Sequence, residues 1–433
     1  MTPLPLLFYG DDFTGATDAL ATAARAGLRS LLLLELPDAA RLASLGALDC
    51  LGIAGAVRSM PPAEMRDELA PVASLAQTLA PRVLHYKTCS TFDSSPEIGS
   101  IGEAVRILAP AVAAEVVAIV GGQPNLGRHC LFGNLFASAG TNGDVFRIDR
   151  HPTMSRHPVT PMREADLRVH LALQGLEGIG LVPWTLYAEG EEALTAHLEK
   201  LGHAGHQAVL WDVAEAAHLP SVGRALWAQA QKAPMFAVGP SSVIEAIAGE
   251  LNANAPTTLA PVEPARGPVL VLAGSLSPVT ARQVAAARSF DVVRLDPVRL
   301  IEPGGSYRQT AAYDLAARLR AGNHVLACTV PMEGAQAAIS ARELAQVGGR
   351  LLADVLRATP VTRVGIAGGD TSSYATRALC AWGLTYAGQL GPGVPLCRLC
   401  SEDIAMDGME LMLKGGQMGH EDIFERLIHG LSQ

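Results

Sequence analysis

Apolar runs of strand length alternate with helical patterns almost from one end of the chain to the other. That alternation predicts α/β architecture with mainly parallel sheets. Leu6–Gly10 reads as a buried strand, Thr14–Ala26 as an alanine-rich helix closed by Gly27, and Ser30–Leu36 as the next strand. A second unit runs from Asp49–Ala56 through a helix opened by Pro61 and Pro62, where proline suits the first turn, and returns along Arg82–Cys89. Glu115–Val120 and Met235–Gly239 are further strands, the latter followed by a helix from Ser241. The stretch Gly121–Pro161 is dense in Gly, Asn, His and Pro and follows neither period, and a long irregular stretch inside a compact domain is more often functional than idle.

Asn252–Pro268 is rich in Pro, Ala, Asn and Thr and reads as a linker. After it the pattern restarts: strand Val269–Gly274, helix Ser277–Arg288, strand Asp291–Leu295, helix Thr310–Arg320, strand His324–Val330, helix Arg342–Arg357. Strand Arg363–Ala367 then leads through Gly368 and Gly369 into a helix from Thr371, and Met409–Leu413 is a late strand. The fold expected is α/β with two lobes, each a mainly parallel sheet flanked by helices. The N-terminal lobe spans residues 1–251, the linker 252–268 and the C-terminal lobe 269–433. A chain of 433 residues suits two such lobes.

Composition narrows the function classes. The hydrophobic fraction of 49% and charged fraction of 17% are those of a globular protein. A net charge of −9 repels phosphate polymers, so nucleic acid is not an expected partner. Seven scattered cysteines fit reduced thiols in the cytoplasm, and the single C-x-x-C of Cys397 and Cys400 lacks a second pair for a metal site. Leu4–Tyr9 has no basic lead-in and reads as a strand, not a signal peptide, and no apolar run is long enough for a membrane span.

In open α/β sheets ligands bind beyond the carboxyl ends of the strands. The first strand is followed by Asp11 and Asp12, then Thr14, Gly15 and Asp18. A carboxylate there can take a proton from an attacking hydroxyl or hold a cation; the plainer alternative is a helix cap. Arg58 and Ser59 follow the second-unit strand, and arginine is a natural bidentate partner for a carboxylate. Lys87, Ser90, Thr91 and Asp93 lie in a hydroxyl-rich run that can grip a polyol acid, or serve as an ordinary polar loop. His151, His157 and Thr160 have no zinc-site spacing and are candidate substrate donors.

The C-terminal lobe offers three glycine-rich strand ends: Gly274–Ser275–Leu276–Ser277, Gly368–Gly369–Asp370–Thr371, and Lys414–Gly415–Gly416 with Gly419. Each alone is common as plain structure. Together, with hydroxyls and a lysine, they suit a nucleotide's phosphates. No Walker loop and no G-x-G-x-x-G turn is present.

In combination these motifs resemble the four-carbon acid sugar kinases, nearest the 3-oxo-tetronate kinase branch. The residues concerned are Asp11–Asp18, Arg58–Ser59, Tyr86–Ser94, His157–Met162, Gly274–Ser275, Gly368–Thr371 and the Lys414–Gly419 stretch. The resemblance implies an ATP- and Mg2+-dependent kinase acting on a hydroxyl of a short acid sugar, with the sugar on the N-terminal lobe and ATP on the C-terminal one. It implies Arg58 and Lys87 on the substrate carboxylate, Ser59 as a further substrate-binding residue, Ser90, Thr91 and Asp93 orienting its hydroxyls, and Asp12, with Asp11 second, as the base. Ser275, Ser277, Gly368, Gly369, Asp370, Thr371, Lys414, Gly415, Gly416 and Gly419 would face ATP. The acid stays open among 3-oxo-tetronate, threonate, erythronate and a branched relative such as 3-oxo-isoapionate, as do the metal ligands and a homodimeric state. An NAD-linked oxidoreductase and a non-catalytic sugar-acid binding protein are the competing readings.

Overall fold

A computed structural model describes residues 3–140, 143–251, 261–274, 277–329 and 340–431. The chain divides into two compact units, one of residues 1–31 and 36–257, the other of 32–35 and 258–433. Residues 252–260 of the linker lie outside the described residues.

The first unit is built on β1 (Leu6–Gly10), β2 (Ser30–Leu33), β3 (Cys50–Ala54), β4 (Val83–Lys87), β5 (Val117–Gly121), β6 (Arg128–Leu131), β7 (Asn134–Ser138), β8 (Val145–Arg147), β9 (Ile179–Val182), β10 (Ala208–Asp212) and β11 (Met235–Gly239). Its main sheet is all parallel, in the order β3-β1-β4-β11-β5-β10-β9. Every residue of β1, β4, β5, β10 and β11 is buried, because helices cover both faces; such strands read as continuous apolar runs without alternation. Charged side chains are thereby gathered at the strand ends, while the buried His85 within β4 donates through Nε2 to the Gly239 carbonyl at 2.9 Å.

The stretch that follows no period is a three-stranded antiparallel sheet, β6-β7-β8. Its strands are three to five residues long and half-buried, too short for a clear alternation. The strand expected over Ser30–Leu36 stops at Leu33. Residues 32–35 group with the second unit, where Leu32 and Leu33 pair antiparallel with Leu384 and Gly383. The boundary at 252–268 therefore misses one short exchange of chain.

The second unit holds β12 (Val269–Ala273), β13 (Phe290–Arg294), β14 (His324–Cys328), β15 (Arg363–Ala367), β16 (Ala381–Gly391), β17 (Val394–Ser401) and β18 (Glu410–Lys414). Five strands run parallel in the order β13-β14-β12-β15-β18. A long hairpin of β16 and β17 adds antiparallel at β18. The core gathers Val271, Leu326, Met412, Ile423, Phe424 and Leu427. No described helix is long and apolar enough to cross a membrane.

Two adjacent glycines of the helix Ala341–Ala358 carry opposite constraints. A Cβ on Gly348 would meet Leu272 at an ordinary 3.5 Å, whereas one on Gly349 would lie 2.7 Å from the Tyr374 carbonyl of the neighbouring helix. We expect Gly348→Ala to stabilise the second unit by about 0.5–1 kcal/mol through helix propensity. Gly349→Ala should destabilise it by about 1–3 kcal/mol through overpacking. Calorimetric melts of both variants check this; shifts of the same sign would contradict the packing described.

Candidate active site

Three neighbouring parallel strands, β3, β1 and β4, deliver the polar ends that matter in the first unit. At Gly10 a Cβ would lie 2.7 Å from that of Ala16, so the chain can turn at once into the helix Phe13–Arg25. Asp12 is the N-cap: one oxygen accepts from the Gly15 N–H at 2.7 Å and the other sits 2.7 Å from Arg58 Nη2. Arg58 stands in a 3₁₀ turn, Val57–Ser59, at the end of β3. That turn is pinned by its own N–H donating to the Asp11 carbonyl at 3.1 Å. Gly99, at φ +62°, packs on its other side, where a Cβ would reach to 2.4 Å of the Arg58 carbonyl oxygen.

At the end of β4, Lys87 is 2% exposed and donates to the Thr88 carbonyl at 2.8 Å. Its ammonium lies beneath Gly15, where a Cβ would stand 2.8 Å from Nζ and 2.5 Å from Asp12 Oδ1. The Cys89 N–H donates to Asp11 Oδ2 at 3.2 Å. Thr91 Oγ1 donates to Asp93 Oδ1 at 2.5 Å and lies 3.1 Å from Cys89 Sγ. Between Thr91 and Asp93, Phe92 is buried at φ +54°, a left-handed conformation that costs a non-glycine residue and is concentrated at functional loops. Ser90 is buried in the same loop. Ser59 is exposed, with its hydroxyl donating to the Ala56 carbonyl at 3.4 Å.

Asp11 is the unusual member. It is 4% exposed and its Oδ1 has no hydrogen-bond partner among the described residues. Burial, then the negative charge of Asp12, pushes its carboxyl up to about 7, against the pull of Arg58 and Lys87. Arg58 keeps its charge: the surrounding carboxylates raise its pKa despite burial.

A second set of polar groups comes from β5 and β11, whose contribution sequence reasoning did not single out. Gln123 and Arg128 face each other across a tight turn, exchanging backbone hydrogen bonds at 2.9 and 3.2 Å. Gln123 is 1% exposed; its Nε2 donates to Asp18 Oδ2 at 3.1 Å, and its Oε1 is unpartnered. Ser241 donates to the same Asp18 oxygen at 2.6 Å. Arg128 donates from Nη1 to the Leu126 carbonyl, while its buried Nε has no acceptor among the described residues. The available signal was position: both residues follow a buried strand, inside the stretch that matched no period. His151 accepts the Thr153 and Met154 N–H groups, and His157 that of Thr160, all at 3.1 Å through Nδ1.

In the second unit the carboxyl ends of β14, β12, β15 and β18 are neighbours. Gly274 leaves room for the Thr371 hydroxyl, which a Cβ would approach to 2.3 Å. Gly368, at φ +130°, caps a helix that begins at Gly369, two residues earlier than the sequence suggests. Asp370 lies within that helix. Lys414 is fully buried, donates to Thr280 Oγ1 at 3.2 Å, and burial pulls its pKa down to about 8. Thr280 in turn donates to the Gly416 carbonyl at 3.0 Å, and Gln283 fastens the carbonyls of Met418, Gly419 and His420 at 3.0–3.1 Å. Ser277 caps the helix Pro278–Ala286, while Ser275 lies outside the described residues. Thr329, beyond β14, has a buried hydroxyl without a partner among the described residues and was not anticipated.

Residues 6–247 match a family model described as a sugar-binding N-terminal domain, and residues 270–424 one described as a nucleotide-binding C-terminal domain. The chain is 39% identical to a 3-oxo-isoapionate kinase of Paraburkholderia graminis, over 99% of its own length and 94% of the relative's. It is 30% identical to a 3-oxo-tetronate kinase of Methylobacterium radiotolerans, over 98% and 99%. A Salmonella typhimurium LT2 protein described as a putative tRNA synthase superposes with a TM-score of 0.82 at 25% identity, covering 98% of each chain. A Haemophilus influenzae protein superposes with a TM-score of 0.76 at 25% identity, covering 97% of this chain and 98% of that one.

The Asp11 environment has a measurable consequence. Its folded pKa of about 7 exceeds the ordinary 3.8, so between those values the folded chain holds a proton that the unfolded chain has lost. The stability from that proton is complete below about pH 4 and is lost as pH rises through about 7. Asp11→Asn cannot ionise, so its Tm relative to wild type should increase from pH 5 to pH 8. A difference in Tm that does not change with pH would show that Asp11 is ionised throughout.

Proposed function

The chain belongs to the four-carbon acid sugar kinase family, and from that premise we propose that it phosphorylates a branched 3-oxo acid sugar, 3-oxo-isoapionate ahead of 3-oxo-tetronate. It is a sugar-acid kinase, as its relatives are, and this displaces the oxidoreductase and pure binding-protein readings. The preference for the branched acid rests on the higher identity to the 3-oxo-isoapionate kinase, 39% against 30%.

The observation that carries the chemistry is the unpartnered oxygen of Asp11 beside an Asp12–Arg58 pair and Lys87. Phosphoryl transfer needs mainly positioning, charge neutralisation and a place for one proton. In the reaction the substrate hydroxyl oxygen bonds to the γ-phosphorus of ATP, the bond to the β-phosphate oxygen breaks, and ADP leaves. The hydroxyl proton goes to a carboxylate. Asp12 has both oxygens engaged, by the Gly15 N–H and Arg58, so we assign the proton to Asp11 Oδ1, in reverse of the order the sequence suggests. A pKa of about 7 suits a general base at neutral pH. Arg58 and Lys87 balance the two negative charges, and Thr91, hydrogen-bonded to Asp93, orients substrate hydroxyls. Ser90 lies in the same loop.

In the second unit the glycine turns at Gly274 and Gly368–Thr371, with Lys414–Gly419, would take the nucleotide's phosphates through backbone N–H groups and the buried ammonium. Magnesium would come as its ATP complex, neutralising phosphate charge. Among the described residues no cluster of three or more His, Cys, Asp or Glu side chains is arranged as a metal cage. Magnesium commonly needs none, being held by phosphates, waters and one or two carboxylates.

Two measurements test this. ADP release should be screened across 3-oxo-isoapionate, 3-oxo-tetronate, threonate and erythronate; the highest kcat/KM is expected for the first, and no release with any acid would refute the kinase reading. Asp11→Asn should lower kcat by at least about 100-fold, near 2.7 kcal/mol, and abolish a rate limb near pH 7. A loss below about tenfold with the limb intact assigns the proton elsewhere. Lys414 offers a separate readout of the nucleotide site. With a pKa of about 8 when unliganded, it should take up roughly half a proton when ATP binds at pH 8 and almost none at pH 6, as calorimetry in two buffers reports. Equal uptake at both values would remove Lys414 from the phosphates.

A further inference from the structure

The glycine-rich loop after β18, in the second unit, is held in shape from outside. Gly415, Gly416 and Gly419 free its backbone, so its peptide planes have little of their own to stop them flipping. Two side chains of the helix Pro278–Ala286 oppose that freedom. Thr280 and Gln283 stand at i and i+3, on one face of the helix, and are 1% and 0% exposed. Thr280 Oγ1 donates to the Gly416 carbonyl at 3.0 Å. Gln283 Nε2 meets the carbonyls of Met418, Gly419 and His420 at 3.0, 3.1 and 3.0 Å. A ring of acceptors around one atom identifies it as the amide nitrogen.

A trans peptide holds its C=O antiparallel to the N–H that follows. With the carbonyls of Gly416, Met418, Gly419 and His420 turned towards the helix, the N–H groups of Gln417, Gly419, His420 and Glu421 point away from it. None of these N–H groups has an acceptor among the described residues, and Gln417, His420 and Glu421 are exposed. The loop thus turns its acceptors inward and its donors outward. A flipped plane would present a carbonyl oxygen instead, repelling an anion where an N–H attracts one. Gly419, at φ +87°, allows the close approach: a Cβ there would stand 3.4 Å from Gln283 Nε2 and 3.2 Å from Ile423 and Val394. An apolar side chain would fill this helix face at less cost, because Gln283 Oε1 stays buried without a partner among the described residues. What the amide supplies in return is a fixed loop.

We infer that Gln283, assisted by Thr280, is a positioning residue for ATP: it fixes the sense of the peptide planes from Gly416 to Glu421, so that the loop meets the phosphates with N–H groups and not with carbonyl oxygens. The inference rests on the reading of Lys414–Gly419 as part of the nucleotide site. Neither side chain needs to touch the nucleotide. The same helix starts directly after Ser277, where the Gly274–Ser277 stretch ends, so one element serves two of the three glycine-rich strand ends.

The test is ADP release by the full chain, with ATP–Mg2+ and the best acid of the panel each varied in turn. Gln283→Met keeps the length of the side chain without a donor. It should raise the KM for ATP at least about 20-fold, the scale of hydrogen bonds to charged groups, with kcat and the KM for the acid within about threefold of wild type. A merely structural role would reduce the amount of folded enzyme, lowering kcat with both KM values unchanged, and that result overturns the inference. Gln283→Glu keeps the shape but turns a carboxylate on the carbonyls, and should raise the KM for ATP at least as much. Thr280→Val removes only the hydroxyl and should raise it about three- to tenfold; it carries the test if neither Gln283 variant folds. An ATP KM within about twofold of wild type in every folded variant overturns the inference. If no acid supports turnover, calorimetric titration with ATP–Mg2+ alone reads the same ratios. Lys414→Met separates the inference from the reading beneath it. If Lys414→Met also leaves ATP affinity unchanged, the loop is not the phosphate site and that reading falls; if it weakens ATP and Gln283→Met does not, only the inference falls.

Discussion

The Asp12 carboxylate joins three parts of the first unit. One oxygen closes the start of the helix after β1, and the other fixes the Arg58 guanidinium from the end of β3. After burial itself, its charge is the next cause that raises the Asp11 carboxyl to about 7. A partly exposed ion pair contributes modest stability by itself. Its larger effect is positional, because the turn carrying Arg58 also donates to the Asp11 backbone and rests on Gly99. The two aspartates therefore have divided roles: one spends its lone pairs on structure, the other keeps an oxygen free.

That division follows from the cost of burying charge. Strands covered on both faces disfavour charged side chains except at their ends, so charged groups collect there in water-poor surroundings. Each must find a partner, shift its pKa, or wait for a ligand. Arg58 takes the first course and Asp11 the second. Arg128 Nε and Gln123 Oε1 are buried without a partner among the described residues. The second unit repeats the pattern with Lys414, whose buried ammonium has a hydroxyl partner and a lowered pKa. In both units, then, buried charged groups at strand ends carry shifted pKa values.

Much of this was legible before any coordinates. The buried strands β1, β4, β5 and β12 appear as plain apolar runs, and Asp11, Asp12, Arg58, Lys87 and Asp93 are polar residues at their carboxyl ends. Position alone makes them candidates in a parallel sheet. Other features left little trace. Strands β6–β8 are too short and too half-buried for a period of two to emerge. The β16–β17 hairpin carries bulges that break its alternation. Residues 32–35 look like the tail of a strand, and nothing local tells that they pair with Leu384 and Gly383.

The sequence by itself determined the layered α/β architecture, the two units and the set of polar strand ends, because burial on both faces writes apolar runs into the chain. Only the tertiary structure decided which of those polar groups are already spent. Asp12 and Arg58 are equally prominent in the sequence as Asp11, and Arg128 is far less so. Whether an oxygen or an N–H keeps a free edge depends on partners distant in the chain, such as Arg58 for Asp12 and Asp18 for Gln123. Hydrogen-bond satisfaction is a property of packed neighbours, and no local pattern of residues records it.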